Sequence, residues 1–399
     1  MELLGKSRDE LRAYCKSLGE PEYRGDQIYH ALYAERQFDV AGITNLPGAL
    51  REKLRREATL TLPEVRKKYL SKDGSVRYLF GIGPARKDFN AENAGDAEST
   101  EKSRQKRQKP AAVEAVFMPS EGRQTICIST QAGCAVDCQF CLTAQLGLIR
   151  NLTAGEIIGQ VLVPLKEMGE APEKNTGEIA GDEAEELEET GLAGRTNVVL
   201  MGQGEPLLNF ENGMAALRIL LDKEGAGLSP KHVTLSTSGI VPGIERLGKE
   251  TVRPKLAISL NASNDEQRNM LMPINKKYPL KVLMEACRAY PLRSWEHLTF
   301  EYVMLGGVND APEDARRVVR LLAPLKSVKV NLIPWNPGEL PYKESSAEKI
   351  EEFRRILTDR GIPAFVRYSR GRDVMAACGQ LALIEVKNSP LTIMTQGVS

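Results

Sequence analysis

A chain of 399 residues, 42% hydrophobic and 6% aromatic, can build a sizeable core as one large domain or two to three modules. Its net charge of +1 excludes a uniformly basic or acidic protein, so a nucleic-acid surface would have to come from local clustering of charge. The start, Met1-Glu-Leu-Leu-Gly-Lys-Ser-Arg8, has no apolar signal stretch, and no run of about 18 apolar residues offers a membrane span, so a cytoplasmic protein is expected. Seven cysteines, grouped rather than evenly spaced, suit metal or redox chemistry in a reducing compartment better than a secreted disulfide scaffold.

In chain order, residues 1–60 read as a helical module, with Leu11, Tyr14, Cys15 and Leu18 at helical spacing and a second periodic stretch at Ile28, Leu32 and Tyr33. Residues 61–119 read as a small β extension, carried by the alternating stretches Val76–Phe80 and Val113–Phe117. Within it, residues 86–110 are polar with a basic end and are expected to be a disordered insertion; a second, acidic one is expected at 170–194. From 120 to 370 short apolar strands alternate with helical patterns of about 10–16 residues: Thr125–Ser129, Asn197–Met201, His232–Ser236, Leu256–Leu260, Thr299–Met304 and Val328–Ile333. That repetition predicts an α/β fold, a parallel sheet or barrel with crossover helices outside. Six units fit a partial (β/α)6 barrel better than a closed eight-fold one. A C-terminal segment, 371–399, follows.

The residues that end these strands are small or polar: Gly202-Gln-Gly-Glu205, Ser236-Thr-Ser-Gly239, Ser259-Leu-Asn261 and Pro334-Trp-Asn336. In parallel α/β folds the C-terminal strand ends form the active-site face, so four such ends on one rim predict a ligand site.

Three cysteines stand close together in Cys134-Ala-Val-Asp-Cys138-Gln-Phe-Cys141. Thiolates converging from one short loop suit an iron–sulfur cluster, and three ligands leave one iron open. A structural zinc site with Cys127 as fourth ligand is the alternative. Alternation in 123–129 sets Thr125, Cys127 and Ser129 against Ile126 and Ile128, and points Cys127 away from the helix-facing side. Cys15 and Cys287 lie on apolar helical faces and read as core residues, while His30, His232 and His297 are scattered and suggest no ligand pair.

This CxxxCxxC motif, with an aromatic before its last cysteine and at the end of a first barrel strand, resembles the radical S-adenosylmethionine superfamily. The resemblance implies a 4Fe–4S cluster on Cys134, Cys138 and Cys141, whose open iron chelates S-adenosylmethionine, with Phe140 near the adenine and Gly204-Glu205-Pro206 receiving the methionine amino group. Five further segments narrow it: Thr125–Cys134, Met201–Asn209, Leu235–Pro242, Asn331–Pro337 and Ala376–Leu381 resemble the RlmN/Cfr family of RNA adenine methyltransferases. The likeness runs from about residue 20 to residue 382, interrupted by the two charged segments.

Carried over position by position, the family pattern implies that Gly204, Glu205, Ser236, Ser259, Leu260, Asn261 and Asn336 contact S-adenosylmethionine. It makes Cys378 the methyl carrier, Cys127 the resolving cysteine and Glu114 the proton acceptor. Gln203 stands where Met is expected, and Asn261 where some members have His. The implied reaction places a methyl group on carbon 2 of an adenine in 23S rRNA, at the peptidyl transferase centre, and in certain tRNAs. Carbon 2 is electron-poor and cannot attack a sulfonium methyl, so polar transfer to it is closed and radical chemistry is needed. In the family's scheme one S-adenosylmethionine methylates Cys378; a second is cleaved reductively so that a radical forms on that methyl carbon and adds to the base. Glu114 then removes the carbon-2 proton, and Cys127 attacks the Cys378 sulfur, forming a disulfide and releasing the product.

Between Arg51 and Arg77 nine Lys/Arg stand against four Asp/Glu, with Tyr69 and Tyr78 interspersed, a pattern able to follow an RNA backbone. Arg367, Arg370 and Arg372 near Cys378 are further candidates for phosphates. The resemblance also implies a flavodoxin- or ferredoxin-type electron donor and a monomer. Two other readings are a Cfr-like enzyme that methylates carbon 8 and a zinc-stabilised RNA-binding protein.

Overall fold

The computed structural model describes residues 1–83, 111–170, 196–383 and 392–393. The expected insertion at 86–110 lies outside the described residues, as does the one at 170–194 apart from Glu170, the last residue of a helix.

Three short helices open the chain: α1 (Arg8–Ser17), α2 (Tyr23–Tyr33) and α3 (Gly48–Glu57). A capping box starts α1: the Ser7 hydroxyl accepts from the Glu10 amide while the Glu10 carboxylate accepts from the Ser7 amide. Leu11, Cys15, Ile28, Leu32 and Tyr33 are buried, as their spacing predicts. This module is built onto the rest of the fold. Gly5, at φ +83°, approaches Gly155 so closely that a Cβ would sit 2.2 Å from its nitrogen, and the Tyr29 hydroxyl donates to Asp222 at 2.9 Å.

Antiparallel strands β1 (Glu64–Leu70), β2 (Val76–Ile82) and β3 (Ala111–Ser120) then form the β extension. A hairpin joins β3 to β4 (Arg123–Cys127), and β4 pairs in parallel with β7 (Thr196–Leu200) on its other side. The parallel run continues through β8 (Val233–Thr237), β9 (Lys255–Ser259), β10 (Leu298–Met304), β11 (Val328–Pro334) and β12 (Ala364–Val366). The six expected strands are therefore present, and a short seventh, β12, extends the run. Its three residues are too few for a periodicity signal. One continuous sheet results, with β12 at one edge and β13 (Thr392–Ile393), paired with β1, at the other, so the barrel is open. A short hairpin of β5 (Gln131–Gly133) and β6 (Leu148–Asn151) flanks the cysteine loop.

Helices α5 (Ala154–Glu170), α6 (Phe210–Leu221), α7 (Val241–Lys249), α8 (Asp265–Leu271), α9 (Leu280–Ala289), α10 (Pro312–Leu322) and α11 (Ala347–Thr358) supply the crossovers. On β10, Leu298, Phe300, Tyr302 and Met304 are buried in the main core, while Thr299 and Glu301 line an internal cavity. On β4, Ile126 enters that core and Thr125 and Cys127 face the cavity, as the alternation predicts. Cys15 and Cys287 are buried in the main core, and among the described residues no helix is long and apolar enough to cross a membrane.

Candidate active site

A cavity of about 540 Å³ runs through the barrel lumen. Cys127, Cys141 and Cys378 line it together, with Gly202, Thr234, Lys255, Glu301, Asn331, Arg367 and Arg370 among its other walls. Cys127 and Cys378 thus face one cavity although they are far apart in sequence. Both are free thiols, burial raises the proton affinity of each, and the charge of Cys378 adds to that effect on Cys127. Cys378 is exposed on the cavity wall.

The C-terminal segment is held in place by hydrogen bonds to three other regions. The Leu142 amide donates to the Gly379 carbonyl at 2.8 Å and the Thr143 hydroxyl to the Leu381 carbonyl at 2.6 Å, tying it to α4 (Leu142–Gln145) just after the cysteine loop. Asn336, after β11, donates to the Cys378 carbonyl at 3.1 Å and to the Ser369 hydroxyl at 2.9 Å. In the β extension, Asp73 accepts from the Gly371 amide at 2.9 Å and the Glu114 carboxylate from the Leu383 amide at 3.0 Å.

Glu114 is fully buried on β3 and ion-paired to the equally buried Arg77 of β2, whose guanidinium lies 4.0 Å over the Tyr69 ring. Burial raises its proton affinity and Arg77 opposes the rise. Gln203 is buried beside it: its Oε1 accepts from the Glu114 amide at 3.1 Å and its Nε2 donates to the Leu381 carbonyl at 3.4 Å. A Met here could make neither bond, so the departure at 203 ties β3 to the Cys378 segment.

The cysteine loop follows the end of β4. Asp137 takes φ +59°, a left-handed conformation that aspartate tolerates, and the Cys141 amide donates to the Cys138 carbonyl in a tight turn. Phe140 packs with Ala262, Leu271, Met272, Leu305 and Trp335 in an apolar cluster, against which Cys138 rests. Burial raises the proton affinity of Cys134 and of Cys138, and each also feels the charge of its fellow loop cysteines. Among the described residues no three His, Cys, Asp or Glu side chains gather at ligand distance of one point. The donor set nevertheless fits a cluster, because buried thiolates that repel one another are stabilised by a cationic iron core.

The seven residues expected around S-adenosylmethionine sit on the rim at the C-terminal strand ends, not in the cavity wall. Gly204, at φ +99°, packs so tightly that a Cβ would lie 2.5 Å from that of Gln131. The Glu205 carboxylate accepts from the Ser238 amide at 2.7 Å, the Ser238 hydroxyl at 2.8 Å and the Leu207 amide at 3.0 Å, which links two strand ends; burial raises its proton affinity against these bonds. Ser236 and Ser259 hydroxyls are 3.5 Å apart, and the Leu260 amide donates to the Glu301 carbonyl at 2.9 Å. Asn261 adopts φ +55°, accepts from the Val303 amide at 2.8 Å and donates to Met272 Sδ at 3.3 Å. Asparagine enters the left-handed region more readily than most residues, which accounts for its place here.

Three further side chains belong to this site. Arg268, fully buried, donates to the carbonyls of Ser238, Ser259 and Leu260 at 2.6, 3.1 and 3.1 Å, so one guanidinium holds two strand ends together; burial pushes it down to about 10. Ser369 is set by Asn336, and Glu301 lies mid-strand. Glu301 had a usable signal, a carboxylate at an inward position of an apolar strand.

The basic run from 51 to 77 is partly consumed inside the fold. Arg77 is buried on Glu114, Lys68 pairs with Glu167 at 2.7 Å, and Arg51 and Lys53 donate to carbonyls. Tyr69 and Tyr78 are buried rather than open for stacking, whereas Arg55, Arg56, Arg66 and Lys72 are exposed. Arg367 and Arg370 line the same cavity as Cys378, whereas Arg372 pairs with Glu344 at 3.1 Å.

An open parallel barrel with a three-cysteine loop after its first strand defines a class, the radical S-adenosylmethionine enzymes. Residues 128–322 match the Radical SAM superfamily, and residues 1–60 the ribosomal RNA large subunit methyltransferase N-terminal domain. A radical SAM methyltransferase from Sphaerobacter thermophilus, known by crystal structure, superposes with a TM-score of 0.79 at 38% identity, over 96% of this chain and 99% of that one. The probable dual-specificity RNA methyltransferase RlmN of Koribacter versatilis is 47% identical over 92% of this chain and 98% of its own, and the dual-specificity RNA methyltransferase RlmN of Chelativorans sp. is 43% identical over 95% and 88%. The chain belongs to the RlmN family of radical S-adenosylmethionine methyltransferases, whose cofactors are a 4Fe–4S cluster and S-adenosylmethionine.

Proposed function

We propose that this protein methylates carbon 2 of adenine in 23S rRNA and in tRNA, through a methyl group carried on Cys378. The observation that carries the reading is the meeting of Cys127 and Cys378 in one lumen beside Cys141, although 250 residues of chain separate the two. Two thiols outside the cluster loop have no use in a plain radical cleavage. They do have one in a reaction that must hold a methyl group and later let the product go.

Cys134, Cys138 and Cys141 hold the cluster, which when bound supplies the electron that cleaves S-adenosylmethionine. Gly204, Glu205, Ser236, Ser259, Leu260, Asn261 and Asn336 form the rim against which S-adenosylmethionine is positioned. Glu114 takes the proton from carbon 2. Its burial raises its affinity for a proton, while Arg77 keeps the charged form available. Cys127 attacks the Cys378 sulfur, and the Cys127–Cys378 disulfide that forms frees the base. To reach the lumen the adenine leaves its stack, at a cost of a few kcal/mol that favours exposed loop bases. Arg367 and Arg370 on the wall and Arg55 and Arg56 of the 1–60 module follow the RNA backbone; 61–119, 120–370 and 371–399 serve as β extension, barrel and methyl-carrier segment. The protein works as a cytoplasmic monomer reduced by a flavodoxin- or ferredoxin-type donor.

An anaerobic assay on both RNAs, with iron and sulfide quantified in the same sample, tests the reading. Methyl groups mapped by mass spectrometry to carbon 2 support it. Mapping to carbon 8 would make the chain a Cfr-like enzyme, and a colourless protein with zinc and no iron would make it a binding protein.

A further inference from the structure

The lumen carries a carboxylate with no task in the scheme above. Glu301 occupies an inward position of β10, 7% exposed, and shares the cavity with Cys378. In register it stands between Ser259 of β9 and Asn331 of β11. Asn331 Nδ2 donates to Glu301 Oε1 at 2.9 Å, and Arg367 Nε reaches Asn331 Oδ1 at 3.4 Å, so one carboxylate oxygen is fixed from behind. Among the described residues Asn331 is the side-chain donor to this carboxylate, which leaves the other oxygen for the cavity. After burial, the charge of Glu301 is the largest influence on the Cys378 thiol.

A second group approaches the same sulfur. Asn336 donates to the Ser369 oxygen at 2.9 Å and to the Cys378 carbonyl at 3.1 Å, which sets the Ser369 hydroxyl on the cavity wall beside Cys378. Methyl transfer to sulfur needs the thiolate, and an ordinary cysteine is mostly a thiol at neutral pH. The proton must therefore leave as the sulfur attacks, and something nearby must receive it. Of the titratable groups lining the lumen, Lys255, Lys329, Arg367 and Arg370 are cations, and His232, whose Nδ1 meets Asn197 Oδ1 at 3.0 Å, lies just before the N-terminal start of β8, whereas Glu301 lies mid-strand on β10. Glu301 is the carboxylate among the cavity walls; burial raises its proton affinity, with Asn331, Arg367 and Lys329 opposing.

We infer that Glu301 is the proton acceptor for Cys378 when the thiol takes its methyl group, and that Ser369 donates a hydrogen bond to the developing thiolate. The S–H bond breaks and its proton passes to the open oxygen of Glu301. The sulfur electron pair forms the new S–CH3 bond, while the old methyl–sulfonium bond breaks with its pair left on the departing S-adenosylhomocysteine. Nothing is oxidised or reduced, and Glu301 returns its proton to water in the lumen. Asn331 and Asn336 are positioning residues. The inference rests on Cys378 being the methyl carrier.

The test uses the cluster-loaded protein with S-adenosylmethionine, without reductant or RNA. The mass of the peptide containing Cys378 is followed in time, and S-adenosylmethionine affinity is measured separately by calorimetry on a C378A background. E301Q should slow S-methylation roughly a hundredfold or more, within the usual range for removal of a general base, and leave the affinity unchanged. E301D, which keeps a carboxylate, should recover part of the rate. S369A should cost about tenfold, the equivalent of one hydrogen bond. Glu301 acting only as a charge predicts the reverse, because its removal would ease thiolate formation; E301Q methylating as fast as the native protein, or faster, overturns the inference. So does a loss of affinity that accounts for the loss of rate, since Glu301 would then be a ligand of S-adenosylmethionine. If the native protein gains no methyl at Cys378 while RNA is still methylated, the methyl-carrier reading itself fails, and this inference with it.

Discussion

Two groups of cysteines meet near one lumen, and the molecule holds them by different means. Cys134, Cys138 and Cys141 are placed by a single loop, shaped by a left-handed residue at Asp137 and a turn from Cys138 to Cys141. Cys127 is placed by β4, while the segment of Cys378 depends on contacts from α4, the end of β11, the β1–β2 hairpin and β3. The loop is a local device, whereas the pair is the product of the whole fold. A local metal loop can be built on many scaffolds. Cys378 stands in a segment whose described residues form little regular structure, so its position is imposed from outside.

The comparison can be broken most sharply at the loop. C138A should lose iron, sulfide and RNA methylation together, because only three thiolates are present to bind the cluster. A variant that keeps its iron would mean that the loop is not the ligand set. At the pair, C127A should still load a methyl group and join RNA but fail to release it, giving a covalent adduct visible as a retarded band on a denaturing gel. Normal turnover would remove the resolving role.

Aimed at the scaffold behind the pair, Arg77→Met should cost about 3–5 kcal/mol in urea unfolding, since it strands the buried Glu114 carboxylate without its partner. An unchanged midpoint would show that the ion pair does not hold β2 and β3 together. The smallest effect is expected for Gln203→Met, which deletes the bonds to the Glu114 amide and the Leu381 carbonyl. It should lower stability by about 1–3 kcal/mol and slow the steps that use Cys378, while iron content stays the same. Loss of iron in this variant would mean that the pair and the loop are one unit.

Much of this architecture was legible in the residues alone. Strand–helix alternation predicted the open α/β barrel, period-two patterning aimed Cys127 into the lumen, and Cys134-Ala-Val-Asp-Cys138-Gln-Phe-Cys141 announced a cluster, because each is a property of neighbours in sequence. Glu301 was half legible, as a charge in an apolar strand, but not its task. The basic run at 51–77 was misleading in part: charge can be counted along a chain, yet Arg77 is drawn inside by Glu114, 37 residues away. Only the tertiary structure could decide what Arg268 fastens, what Gln203 connects, and which groups surround the sulfur of Cys378. Those are long-range hydrogen bonds among buried polar groups, fixed when the strand ends converge and water is expelled, and no local pattern encodes them.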